Sequence, residues 1–108
     1  MEATLIISTA VNHVHSMETV EAFADKIVEI AGSLDSAAYR SLILNWKAQY
    51  AAVAAGVRQA KVDRKGDTLG EHQSKREGFR CDARKLMAVR AALKELARRH
   101  HRAKRAAA

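Results

Sequence analysis

Lys65-Gly66-Asp67-Thr68-Leu69-Gly70 is the one strong break in this chain of 108 residues, and its reading decides the fold. Two glycines with Asp and Thr between them favour a turn. Before the break, Tyr39, Leu42, Ile43, Trp46, Tyr50, Val53, Val57 and Ala60 recur at threes and fours. That is the spacing of one helix face and predicts a helix over about 36–64. After it, Phe79, Leu86, Val89, Leu93, Leu96, His100 and Ala103 form a second stripe. From Leu86 onward its alternating three–four spacing is that of a narrow coiled-coil seam, which predicts a helix over about 71–102. Asp67 or Thr68 would cap it. Gly78 should weaken its early part, so its ordered portion is expected to start nearer Phe79, and residues 106–108 are expected to fray. Two long stripes either side of one turn give the predicted fold: all-α, a long antiparallel helix hairpin with one or two shorter N-terminal helices packed against it.

Those shorter elements come first in the chain. The β-branched run from Thr4 to Val11 would suit a strand, yet Ala3, Ile6, Ile7, Ala10, Val11 and Val14 also fit a helix face. No second strand candidate exists to pair with it, so a short helix is favoured. A second helix follows, with Ser16 expected as its cap and Glu18 near the positive end of its dipole. Val20, Phe23, Ala24, Ile27, Ile30 and Ala31 mark its packing face, and Gly32 is a natural stop.

Composition agrees with helix. The chain has no proline and 22 alanines, which fits poorly with a turn-rich sandwich or barrel. Its bulk is uneven: of the 30 apolar residues larger than alanine, 22 lie in residues 1–62 and 8 in residues 63–108. The first part can build a core; the last must lean on it, on a second copy or on a partner. One helical domain over 1–105 is therefore expected, with a core-building part (1–62) and a basic helix (71–105). No run of apolar residues is long enough to span a bilayer, and the start lacks a basic leader pattern. A cytoplasmic chain with its single cysteine, Cys81, reduced is the expectation.

Charge divides in the same place. Residues 1–57 carry three Lys/Arg and six Asp/Glu, net −3, whereas residues 58–108 carry sixteen and six, net +10. Such a division points to an anionic partner or to contact between the two halves. The basic positions that stand out are Arg84, Lys85, Arg98, Arg99, Arg102, Lys104 and Arg105. Arginines every three or four residues on a helix can lie along an acidic protein surface or along phosphates, since the guanidinium fork suits either. The absence of interleaved aromatics weighs against nucleic acid, because Phe79 is the one aromatic in the basic half. Basic residues also simply stabilise a helix C-terminus, and many are solvated. Tyr39, Trp46 and Tyr50 share one stripe; they read first as core and secondly as anchors of an interface, and a homodimer is expected.

No catalytic pattern accompanies these features. His13 and His15 are two apart, His100 and His101 are adjacent, and no His-x-x-x-His or Cys-x-x-Cys spacing occurs. Gly66 and Gly70 are followed by no Gly-Lys-Ser/Thr, so no phosphate loop is formed, and no carboxylate pair is placed for acid–base work. No enzyme, metal or cofactor is expected.

The stretch Tyr39-Arg40-Ser41-Leu42-Ile43-Leu44-Asn45-Trp46-Lys47-Ala48-Gln49-Tyr50, with the later Ala83-Arg84-Lys85-Leu86-Met87-Ala88-Val89-Arg90, resembles small helical proteins from the early regions of Mu-like transposable bacteriophages. The resemblance implies a non-enzymatic protein that docks on a host protein machine, such as a transcription regulator or the pilus-assembly ATPase, and modulates or inhibits it. The expected partner is then an acidic surface of a host protein in the host cytoplasm. The alternative is a nucleic-acid-binding regulator using the same basic helix.

Overall fold

A computed structural model describes residues 2–16, 19–32, 34–63 and 69–107. The chain runs through four helices: α1 (Ala3–Asn12), α2 (Val20–Ala31), α3 (Ser36–Asp63) and α4 (Leu69–Ala107), with a short 3₁₀ turn at Val14–Ser16. The fold is all-α, with the long C-terminal helix packed against the shorter ones. At 1.5 Å per residue the 39 residues of α4 span about 58 Å. This helix therefore sets the 59 Å long dimension of the molecule, whose other extents are 26 and 23 Å. Among the described residues, no helix is long and apolar enough to cross a membrane.

Two hydrogen bonds fix the pairing of α3 with α4. Tyr39 Oη donates to the Leu93 carbonyl at 2.9 Å, and Trp46 Nε1 donates to the Leu86 carbonyl at 2.6 Å. Seven residues forward on α3 match seven residues back on α4, so the helices are antiparallel. Each acceptor lies inside α4, where the carbonyl's second lone pair can take a side-chain donor while the helix bond is kept. Further along, the Phe79 ring lies against Gly56. A Cβ built on Gly56 would sit 2.7 Å from Phe79 Cζ, inside the limit of real contacts. Gly56 thus lets the ring and the α3 backbone approach.

The core lies where α1 and α2 cover this hairpin. Ile7, Ile27, Leu42 and Val89 are its fully buried large residues, one from each helix. Residues 3–12 form a helix, as the missing strand partner required. Burial of Ile6, Ile7 and Ala10 offsets the lower helix propensity of the β-branched run. Asn45 Nδ2 donates to Thr4 Oγ1 at 2.6 Å, tying α1 to α3. At the start of α3, Asp35 Oδ1 accepts from the Ala38 backbone N–H at 2.7 Å and caps the helix.

Several details differ from the sequence reading. Thr19, not Ser16, caps α2: its Oγ1 accepts from the Ala22 N–H at 3.0 Å. Ser16 instead closes the 3₁₀ turn by donating to the His13 carbonyl. Val20 is exposed rather than part of the α2 packing face. Gly32 does end α2, at φ +82° and ψ −48°, a positive φ that a residue with a Cβ rarely adopts. Gly70 and Gly78 both lie inside α4, which is helical from Leu69 onward. One exposed helical glycine costs about 1 kcal/mol, too little to divide so long a helix. The buried seam of α4 stops at Leu96; His100 and Ala103 are exposed. By the antiparallel register, Ser36 is the last α3 residue opposite α4 there, and nothing of α3 remains beyond it. The helix itself continues to Ala107. The caps expected at Asp67 or Thr68, and Glu18, lie outside the described residues.

Candidate functional site

The solvent side of α4 carries a long row of exposed cations. Arg76, Arg80, Arg84, Met87, Arg90, Lys94, Arg98, His101 and Arg105 follow one another at threes and fours, and every one is exposed. That spacing keeps them on one face for about 43 Å. From Ala83 to Arg105 the helix carries a single carboxylate, Glu95. Glu95 is 7% exposed and sits beneath arginines, so it leaves the outer face cationic.

The cluster around Glu95 sorts the basic residues singled out above. Arg98 reaches Oε2 through Nε and Nη2, at 2.9 and 2.8 Å. Arg102 Nη2 reaches Oε1 at 3.1 Å, and Arg99 Nε reaches the same oxygen at 3.4 Å. The Arg98 hydrogen bond, aided by the charges of Arg98 and Arg102 and by the Arg99 bond, holds the Glu95 carboxyl below its ordinary value against the opposing effect of burial. Arg99 also donates to Asp25 Oδ1 at 2.6 Å and to the Glu21 carbonyl at 3.3 Å, both on α2. The Asp25 bond raises the Arg99 pKa.

Arg99 is thus an internal clip: the acidic and basic halves of the chain meet here. Three arginines against Glu95 and Asp25 still leave one positive charge in surplus. Arg84 and Arg105 are exposed and form no ion pair among the described residues. Lys85 is half-buried and off the outer face. Lys104 is exposed but lines a different surface, a cleft between the ends of α2, α3 and α4.

The aromatic stripe lies beside the cationic face. Trp46 and Tyr50 stack at 5.2 Å between ring centroids, with 16° between planes. The Arg90 guanidinium sits 5.9 Å from the Trp46 ring centroid, within cation–π range. Tyr39 and Trp46 are half-buried, with their polar atoms bonded to α4, and Tyr50 is exposed. Between α3 and α4 these side chains floor a cleft of about 130 Å³, built on Tyr39, Ile43, Trp46 and Leu93 and edged by Lys47, Arg90 and Lys94. So the structure puts the aromatic stripe and the basic helix side by side.

Lys47, Arg90 and Lys94 join this surface although the sequence reading singled out other cations for binding. The signal was present: Arg90 and Lys94 follow Leu86 and Leu93 at offsets that place them at the seam's edge. Elsewhere, the His100 and His101 rings are 6.5 Å apart, Cys81 is a half-buried free thiol, and no group of three metal-ligating side chains occurs among the described residues. No protein-family model, curated protein or solved structure matches this chain.

Proposed function

We propose that this is a non-enzymatic binding protein that docks on the acidic surface of another protein and modulates or inhibits it. The observation that carries the reading is the cationic α4 face running directly beside an apolar, aromatic-floored cleft. The cations steer association and set orientation. The cleft at Ile43 and Trp46 supplies the apolar anchor that protein interfaces need for affinity. The likeness to early-region phage proteins would make the partner a host protein. A second reading, nucleic acid, is favoured by one observation: the outer face of α4 has a single apolar side chain, Met87, over about 43 Å. A phosphate backbone needs no apolar anchor.

Affinity capture from nuclease-treated extract separates the two readings, with R90E/K94E beside the unaltered protein. A specific protein that co-purifies after nuclease treatment and is lost with the variant supports docking on protein. Loss of all co-purifying material on nuclease treatment, with a low-salt electrophoretic shift of duplex DNA, sinks it.

A further inference from the structure

A second cleft, of about 530 Å³, opens at the end of the bundle where α2 finishes, α3 starts and α4 passes. This volume falls within the range of small-molecule sites. Its floor is apolar: Val28, Leu34, the Tyr39 ring, Leu96 and Ala97. The Tyr39 hydroxyl is taken up by the Leu93 carbonyl, so the ring presents carbon to the cleft. Val28 is 37% exposed there, leaving part of an aliphatic side chain open to the cleft.

The rim has the opposite character. Arg40, His100, His101 and Lys104 line it, and neither Arg40 nor Lys104 forms an ion pair among the described residues. Arg99 also borders the cleft but is held by Asp25 and Glu95. Among the described residues Asp35 is the one carboxylate on the rim, and it faces the start of α3, where it accepts from Ala38. The positive end of the α3 dipole opens onto the same rim. An uncharged apolar ligand would leave Arg40 and Lys104 unused, and a bare anion would leave the floor uncovered.

We propose that this cleft binds a small amphiphilic anion, an aliphatic carboxylate whose chain lies on Val28, Leu34 and Leu96 while its head group meets Arg40 and Lys104. The site lies around the helix from the α4 outer face, sharing His101 with it, and the proposal does not depend on which polyanion that face takes.

Titration calorimetry of the full chain with sodium decanoate, kept below its micelle concentration, tests the assignment. Saturable one-to-one binding is expected, with decanol and acetate each about tenfold weaker or more, since each lacks one half of the recognition. R40A/K104A removes two exposed cations and should weaken decanoate by about tenfold or more. R58A/K61A removes the same charge elsewhere on the surface and should leave binding unchanged. The proposal is overturned by no saturable decanoate binding, by decanol binding as tightly as decanoate, or by equal losses in the two double variants. Binding of a leucine-terminated peptide where decanoate fails would also overturn it, in favour of a protein terminus.

Discussion

Replacing Gly56 by alanine isolates the contact that closes the far end of the hairpin. Two effects oppose each other. Alanine is the better helix former, and inside α3 it should gain about 1 kcal/mol over glycine. The new methyl, however, would lie 2.7 Å from Phe79 Cζ and 3.2 Å from Cδ1. Something must move, and overpacking of this kind costs about 1–3 kcal/mol. The ring can swing away, but the half-buried phenyl then gives up part of the roughly 1.5–3 kcal/mol that full burial of such a side chain provides. The expected net effect of G56A is from near zero to about 2 kcal/mol destabilising.

The background decides the sign. With Phe79→Ala already in place the clash is gone, and adding G56A should stabilise by about 1 kcal/mol. The double-mutant cycle should therefore show a coupling of about 1–3 kcal/mol, well above the scatter of independent sites. Urea unfolding followed by circular dichroism measures all four proteins. In a domain of this size a 1 kcal/mol difference moves the melting temperature by about 4–8 °C. Equal stabilisation by G56A in both backgrounds would refute the contact, and with it the reason for a glycine in the middle of α3.

Two further outcomes follow from the titrating groups. Arginine contacts lower the Glu95 carboxyl pKa, so the stability it contributes is complete above the ordinary value of about 4.5 and drains away as pH falls through the lower folded-state value. Glu95→Gln should flatten that acid limb of the melting-temperature profile and lower stability at neutral pH, where Arg98, Arg99 and Arg102 would face one another without their carboxylate; an unchanged acid limb would remove the cluster from the stability of the fold. Burial raises the Tyr39 pKa, so its contribution is complete below the ordinary value near 10 and is lost as pH rises through the folded-state value. Absorbance near 295 nm in a Tyr50→Phe background should show Tyr39 titrating late, and Tyr39→Phe should cost about 1 kcal/mol by removing the bond to Leu93.

The hairpin was legible because its evidence is periodic. Leu42, Trp46 and Val53 on one side, and Leu86, Val89, Leu93 and Leu96 on the other, repeat often enough to fix both helices and their contact faces. What escaped were choices made locally or through space. Ser16 and Thr19 are equally able caps by chemistry, and the 3₁₀ turn that occupies Ser16 is not encoded in any period. The Gly56–Phe79 fit joins residues whose proximity depends on helix register, which spacing alone does not set. On the candidate site, the basic face was visible as a run of arginines. Its internal division was not, because Arg99 finds Asp25 only once α2 lies against α4. Glu95 offered a clue, with Arg98, Arg99 and Arg102 three, four and seven residues ahead of it, a spacing that brings all three to one carboxylate.

The bonds from Tyr39 and Trp46 to α4 have one more consequence. Their acceptors are main-chain oxygens, which every residue of a helix supplies. The pair therefore works like a gauge that measures two turns but cannot read which two turns it has measured. Shifted by one heptad, both rings would again find carbonyls. The absolute setting comes from elsewhere: the flat spot at Gly56 and the tether from Arg99 to Asp25. Sliding α4 by one heptad would leave both rings bonded but carry Phe79 about 10 Å from Gly56 and Arg99 as far from Asp25. The two carbonyl bonds thus clamp the helices without choosing their setting, and the glycine contact and the arginine tether choose it.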